Sequence, residues 1–461
     1  MRILVVIFFI TVLSGCNGIE EWIHEDVDRE FVTQTFTPQQ IHEDIDFLIA
    51  TMRERHPAFD EYADIEALET LAEHLKSTAL GPMTRQQAFK HIAQLTPLFR
   101  DGHSILFPLL AEFTFAEKQG IQTFPFGVKI RDGAAYLASS YTRERDKLTL
   151  QKGTEIKFIN GISVHEIIGD LTNLSHGETA NLRESMLSLL FHYWAFAVFD
   201  VAGEITLGIF DQGKTHEVVS KSSDKWERSD TYLEDVQLTF VDDDTGYLRI
   251  DSFDVDAESD KFANSVEDAF GQLVAKNTAT LIIDIRGNTG GQSDAGAEVI
   301  KYLISKPVSQ ASFAIEKLNR DNNGWFGYKG DVGEVIELNV EKEGLIEPVS
   351  ADKQFAGDVI VLVDRMTYSA AILFATTILD NNIGTLIGEP TGGFANQTGN
   401  LSPFHLPHTK LVMLAPSRYI VRPSGDKRRQ PVIPHHIIKP NDGMNEFEWL
   451  KQVKNMTIAS R

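Results

Sequence analysis

Ser369 lies where one kind of local sequence gives way to another. The β-branched run Val359 to Val363, closed by Asp364, passes through Arg365-Met366-Thr367-Tyr368 into a segment of good helix formers (Ser369, Ala370, Ala371, Leu373, Ala375, Leu379). A short apolar run without alternation predicts a buried parallel strand, and the segment after it predicts a helix. A hydroxyl at such a junction sits beside free backbone N–H groups and the positive end of the helix dipole. That setting suits formation of an alkoxide next to a held oxyanion. It also suits a plain helix N-cap, the commonest task of a serine there, and the segment alone fits both readings.

A second junction has the same form. Ala279 to Ile285 predicts another buried strand, then comes Arg286-Gly287-Asn288-Thr289-Gly290-Gly291, and a helix starts near Ser293. Glycines after a buried strand let backbone N–H groups face a ligand, although a tight turn needs them equally. The loop has no Walker lysine and no G-x-G-x-x-G spacing, which disfavours phosphate binding. A third candidate is His103, in the polar break Arg100-Asp101-Gly102-His103-Ser104 before the apolar run Ile105 to Phe107. Histidine is the commonest general base near neutral pH, yet lone histidines are mostly surface or satisfied core residues. His405, His408, His435 and His436 match no zinc spacing and stand near prolines, so they read as surface loops. No metal and no cofactor is implied.

The elements that would carry these residues follow from periodicity. Thr37-Pro38 predicts a capped helix start with Ile41, Ile45, Leu48 and Met52 on one face, and further helices are predicted over 64–78 and 84–99. From about Gly120 to Gly213 the texture is of short β-like runs (126–130, 134–137, 155–159), with a helix over His165 to Leu171. From Val236 onward strands and helices alternate: Gly246–Ile250, a helix over 257–276, then the two junctions above and a strand at Thr385–Gly388. Such alternation is the signature of a parallel sheet covered by helices, so the fold class is α/β, in an α+β multidomain chain. Residues 318–334, rich in Asn, Asp and Gly, read as an exposed excursion.

With 461 residues and a net charge of −23 the chain has ample core and should repel polyanions, which excludes nucleic acid as a partner. Met1-Arg2 followed by Ile3 to Leu13 has the form of an export signal, too short to span a bilayer. Cys16, the only cysteine, directly follows Leu13-Ser14-Gly15 and resembles the acylated residue of bacterial lipoproteins. That resemblance implies a periplasm-facing protein held in the membrane, the outer one since Asn17 is not aspartate, by an N-terminal lipid and a polar tether. The resulting map is a signal peptide (1–15), tether (16–36), helical subdomain (37–115), β insert (116–222), core (235–445) and C-terminal tail (446–461).

Three motifs together resemble the tail-specific (C-terminal processing) serine protease family, which includes the core of tricorn protease. They are IleAspIleArgGlyAsnThrGlyGly at 283–291, ThrTyrSerAlaAla at 367–371 and IleGlyGluProThrGlyGly at 387–393. The resemblance implies a core related to the Clp-protease and crotonase folds and a peptide or protein substrate, recognition by its C-terminus included. Lys152 to Gly161 and the helix after it resemble part of a PDZ domain, although a purely structural β insert fits too. Carried over by motif, Ser369 is the nucleophile, and Gly290 or Gly291 with Ala370 supply the oxyanion donors. The branch with a Ser–Lys dyad is excluded, because Phe394 stands at the lysine position. The tricorn-like branch takes its base from an Asp-Gly-His segment, which maps onto His103. The glutamate of that branch falls on Arg428 here, so the residue that orients His103 is open among Asp101, Glu389, Asn396 and Asp426. That departure also keeps open an inactive peptide- or lipid-binding protein on the same fold.

Overall fold

The computed structural model describes residues 32–229, 236–256, 259–324, 327–340, 344–439 and 445–459. The export signal, Cys16 and most of the tether lie outside the described residues. Two compact units divide the chain: 22–232 together with 402–415, and the unit built on 233–401 and 416–461.

The first unit begins with three capped helices. Helix α1 (Pro38–Arg55) has Thr37 and Gln40 in a reciprocal capping box and buries Ile41, Ile45, Leu48 and Met52. Asp64 caps α2 (Ile65–Thr78). Thr84 with Gln87 caps α3 (Arg85–Ile92). The helix expected over 84–99 stops being α-helical at Ala93, and a 3-10 turn carries the chain to Phe99 with Pro97 inside it. Proline clashes with the carbonyl four residues back in an α-helix, and the tighter turn relieves that clash. Arg100 then closes the turn with a left-handed backbone (φ 51°). Strand β1 (Ile105–Leu106) pairs antiparallel with Leu414 and Met413 of the 402–415 segment. Helix α4 (Leu110–Lys118) follows, and its Glu112 forms a buried ion pair with Arg85 at 2.5 Å.

The β insert is antiparallel: β2 (Val128–Arg131), β3 (Ala134–Leu137), β4 (Glu155–Ile159), β5 (Ile205–Asp211) and β6 (Lys214–Ser220), in sheet order β6-β5-β4-β3-β2. Helix α5 (Val164–Thr172) lies where one was expected. The β-like reading of 120–213 is corrected by α6 (Ala180–Phe199), a helix of 20 residues. Leu182, Met186, Leu187, Phe191, Trp194 and Ala195 are buried along it. A helix apolar on most sides has no polar face to betray a period of 3.6. The helices, the sheet and the 402–415 segment share one apolar cluster, from Leu48, Phe89 and Phe99 through Ile156, Trp194 and Leu207 to Leu406 and Met413.

The second unit is a six-stranded sheet. Strand β7 (Val236–Asp242) pairs antiparallel with β8 (Thr245–Ile250), and the rest is parallel: β9 (Thr280–Asp284), β10 (Asp358–Val363), β11 (Thr385–Gly388) and β12 (His436–Ile437). Leu281 lies opposite Val359 and Ile283 opposite Val361, so β9 and β10 end side by side. Their C-terminal loops, 286–291 and 364–369, are therefore neighbours, as expected at the carboxyl edge of a parallel sheet. Helices α7 (Lys261–Ala275), α8 (Ser293–Ile300) and α9 (Ala370–Asp380) cover it. The C-terminal tail expected over 446–461 is instead helix α10 (Glu446–Ala459). Its Trp449, Leu450 and Val453 join Tyr247, Ile282, Ile360, Leu362 and Ile387 in a second core cluster. Arg286 fixes this helix by donating to Glu446 at 2.6 Å and lying 4.4 Å from the Trp449 ring centroid. Among the described residues no helix is long and apolar enough to cross a membrane.

Helix α10 is thus part of the core. Trp449→Ala should destabilise the second unit by about 3–5 kcal/mol, whereas Phe447→Ala on the exposed side of α10 should cost less than about 0.5 kcal/mol. Denaturant titration of both variants measures the difference.

Candidate active site

In the second unit, Ser369 forms a sharp elbow between β10 and α9. Its backbone has φ 51° and ψ −123°, and its side chain makes no capping hydrogen bond, so the N-cap reading is set aside. A non-glycine residue in this region costs on the order of 1–3 kcal/mol and persists only where its surroundings impose it. Here they do. One oxygen of Asp364 accepts from the N–H groups of Gly287 (3.0 Å), Met366 (3.0 Å) and Thr367 (3.1 Å), lacing the two loops together. The Thr367 hydroxyl donates to Ile285 C=O at 3.1 Å, and the Tyr368 N–H to Asn288 C=O at 3.0 Å. Gln397, buried, donates from Nε2 to Ser369 C=O at 2.9 Å. Asp364, Asn288, Thr367 and Gln397 carry no local signal in the sequence beyond their polarity, and they brace the elbow.

Gly290 must be glycine. It has φ +100°, and a Cβ there would lie 2.7 Å from Ser369 Cβ and 2.8 Å from Ala370 N. Of the two glycines proposed as oxyanion donors, Gly290 has its N–H committed to Asn288 Oδ1 at 2.8 Å. A buried amide already paired in a tight local turn is a poor second donor, which corrects that alternative. Gly291 flanks Phe253, whose N–H donates to Gly290 C=O and whose C=O accepts from Gln292. Among the described residues, neither Gly291 N–H nor Ala370 N–H makes a hydrogen bond.

The histidine candidate lies in the first unit. The left-handed turn at Arg100 leads into Asp101, His103 and Ser104, all buried. Asp101 accepts from His103 N–H at 3.2 Å and from the Ser104 hydroxyl at 3.0 Å. His56 Nε2 lies 3.2 Å from Asp101 Oδ2. His56 Nδ1 accepts from Ala58 N–H at 3.1 Å, which leaves Nε2 on the side of the carboxylate. Burial alone would push the Asp101 carboxyl up. The His56 hydrogen bond, the two imidazoles and the His103 N–H outweigh it and bring the carboxyl down to about 2. Burial lowers the His103 imidazole, opposed by Asp101 and assisted by His56, so the ring is neutral at neutral pH. His176 is also buried and depressed, to about 4, chiefly by burial. Nothing in the local sequence pointed to His56 or His176.

The four candidates for orienting His103 separate clearly. Asp101 touches His103, through its backbone N–H. Glu389 pairs with Arg365 at 3.5 Å. Asn396 Nδ2 donates to the carbonyls of Asp426 and Arg428, and its Oδ1 accepts from Arg422 N–H. Asp426 grips Arg428, its Oδ2 lying 2.6 Å from Nη2. Asn396 and Asp426 therefore brace the 422–428 loop.

Residues 244–438 match the profile of Peptidase family S41. The "Carboxyl-terminal-processing protease" of Picosynechococcus sp. is 25% identical over 150 residues, which span 32% of this chain and 28% of that protein. The "Carboxyl-terminal-processing peptidase 2, chloroplastic" of Arabidopsis thaliana is 25% identical over 215 residues, 46% of this chain and 36% of that protein. The aligned stretches thus span roughly a third of these curated relatives or less. The crystal structure of mature CPAF superposes with a TM-score of 0.63 at 16% identity, covering 91% of this chain and 97% of that one. The fold is therefore the mixed α/β multidomain architecture of these proteins, consistent with a Clp/crotonase-like core.

The contact between Gly290 and the elbow yields a sharp expectation. Gly290→Ala should shift Ser369 and lower its labelling by a fluorophosphonate probe by about 100-fold, the scale of a displacement of about 1 Å. Circular dichroism of the variant separates this local effect from unfolding.

Proposed function

We propose that the chain is a serine peptidase of the S41 type, with Ser369 as nucleophile, His103 as general base, and Gly291 and Ala370 N–H groups as oxyanion donors. The observation that carries this reading is the left-handed backbone of Ser369, held against Gly290 at the start of α9. The S41 match over 244–438 and the processing-protease relatives support it. In the reaction, a ring nitrogen of His103 takes the Ser369 Oγ proton as Oγ bonds to the carbonyl carbon of a peptide. The carbonyl electron pair moves onto oxygen, facing the two backbone donors. Collapse expels the amine, which takes the proton back from the imidazolium. Water, deprotonated by the same ring, then cleaves the acyl-enzyme, and the acid and free Ser369 are released. General-base catalysis is worth ~10²–10⁴-fold and an oxyanion donor ~10²–10³. Asp101 fills the role that a late glutamate would otherwise fill, by fixing the His103 backbone and stabilising its charged form.

We further propose that the enzyme is exported and tethered by a lipid on Cys16 at the outer membrane, a reading supported by the apolar run that ends just before the only cysteine.

Ser369→Ala should abolish casein hydrolysis and fluorophosphonate labelling, and His103→Ala should lower hydrolysis by ~10²–10⁴-fold; a Ser369→Ala chain as active as the parent would overturn the assignment. The sign of the pH effect follows from His103. Its imidazole is held below its ordinary value by burial, so the acid-side fall of kcat/KM, as the ring gains a proton, should come at a lower pH than for a free imidazole. For the anchor, Cys16→Ser expressed in a Gram-negative host should lose metabolic labelling by an alkynyl fatty acid and appear in the soluble fraction.

A further inference from the structure

Helix α1 ends at Arg55, and residues 56–64 connect it to α2. A connection of this kind normally turns its polar side chains to water, yet His56 is only 1% exposed. Its N–H donates to Met52 C=O at 2.9 Å as the C-cap of α1, and φ −66° with ψ 125° turns the chain out of the helix. The helical turn Phe59–Tyr62 then packs against the imidazole, whose centroid lies 5.1 Å from that of Tyr62 and 6.1 Å from that of Phe59. One ring nitrogen, Nδ1, accepts from Ala58 N–H at 3.1 Å. Backbone, packing and this hydrogen bond together fix where the other nitrogen lies.

The 56–64 connection also cradles the loop that carries His103. Asp64 N–H donates to Leu98 C=O at 2.9 Å, and the Phe59 and Phe99 ring centroids lie 6.2 Å apart. The Asp64 carboxylate pairs with Arg100 at 2.5 Å, but that guanidinium is half exposed and such a pair adds little. The contact of His56 Nε2 with Asp101 Oδ2, at 3.2 Å, differs because neither side chain meets solvent. Asp101 divides its oxygens: Oδ1 accepts from His103 N–H at 3.2 Å, while Oδ2 accepts from the Ser104 hydroxyl at 3.0 Å and faces His56. Burial pushes the Asp101 carboxyl up, and the contact with His56 is the strongest influence drawing it back down. A buried carboxylate that loses such a partner takes up a proton or swings toward another donor. Its two oxygens belong to one rigid group, so the oxygen that holds the His103 N–H would move as well.

We propose that His56 is a positioning residue for the base: by holding one oxygen of Asp101 it fixes the other on the His103 N–H, and so sets where the imidazole stands during proton transfer. The proposal deepens the peptidase reading and rests on it for the role of His103. A His56 that only filled the interior beneath α1 would be replaceable by any ring of its shape. A His56 that acts through Asp101 is replaceable only by a side chain that reaches the carboxylate with a donor.

The test compares three variants of the full chain in casein hydrolysis. His56→Phe keeps a ring against Tyr62 and removes both nitrogens, His56→Asn keeps an acceptor for Ala58 N–H but is too short for Asp101, and His56→Gln keeps a donor at the distance of Nε2. His56→Phe and His56→Asn should each lower kcat by about 10- to 100-fold, the cost of a displacement on the order of 1 Å, with KM within about twofold of the parent. His56→Gln should stay within about threefold of the parent in kcat. In a chain carrying Asp101→Asn, adding His56→Phe should cost less than about twofold, because a residue acting through Asp101 has nothing left to act on. Hydrogen exchange of the 101–104 amides, which reads the loop without turnover, should quicken about tenfold in His56→Asn and hold in His56→Gln, against unchanged exchange in the β insert. A kcat for His56→Asn within about threefold of the parent overturns the proposal. So does a His56→Gln chain as slow as His56→Asn, or a full additional loss in the Asp101→Asn background. Each of these rejects the role of His56 alone. A parent chain that neither hydrolyses casein nor takes a fluorophosphonate label rejects the peptidase reading, and the proposal with it.

Discussion

The second unit is built around a strained residue that cannot relax. Ser369 would gain on the order of 1–3 kcal/mol by leaving its left-handed conformation. Leaving would break the bond from Gln397 to its carbonyl and move it out of the space that the missing Cβ of Gly290 provides. The parallel pairing of β9 with β10 makes this possible, because it delivers two strand-to-loop transitions at the same edge of the sheet. Asp364 then converts adjacency into fixed geometry, since one carboxylate oxygen accepts amides from both loops. A side-chain tether between loops is stiffer than either loop alone, and a reactive hydroxyl needs that stiffness: a displacement of 1 Å can cost about 10² in rate.

Burial creates the other electrostatic condition, in the first unit. A charged imidazole is penalised in a low-dielectric interior, so burial keeps His103 neutral and able to accept a proton. The same burial would favour protonation of Asp101 were it not for the two imidazoles beside it and the His103 N–H. The carboxylate is thus held ionised with His56 on one side and a backbone amide on the other. Such a carboxylate favours an imidazolium nearby only when one forms, which is the differential effect that general-base chemistry requires. At position 428, Arg428 is turned to Asp426 in an exposed pair.

How much of this could be read in the sequence depends on the range of the interaction. The strands at 280–284 and 358–363 were legible within a residue or two, because fully buried parallel strands are continuous apolar runs. The starts of α1 and α3 were legible from Thr37-Pro38 and Thr84, since caps are local chemistry. Helix α6 was not, because its apolar residues surround it and leave no periodic face. Helix α10 carries Phe447, Trp449, Leu450 and Val453, but which of them face inward is decided only against Tyr247 and Ile282. In the candidate site, motif spacing singled out Ser369, the glycine loop and His103. The braces at Asn288, Asp364 and Gln397 are ordinary polar residues whose roles exist only through contacts made in three dimensions. Asn396 and Asp426, polar side chains near a motif in sequence, likewise gave no sign that they brace the 422–428 loop.

The absence of a lysine from the 391–394 segment has a packing counterpart. Phe394 bridges antiparallel to Pro431 and lies 5.4 Å beneath the Arg429 guanidinium, so an aromatic ring and a cation fill out this surface. An ammonium at position 394 would face that guanidinium at close range, and like charges at such distances depress a lysine and destabilise the loop together. The exchange of lysine for phenylalanine therefore removes a base and is accommodated by the same arginine that would have opposed it. On the proposed peptidase reading, a chain so arranged takes its base from elsewhere. Within the described residues, the buried neutral imidazole of His103, beside an ionised Asp101, has the chemistry to supply it.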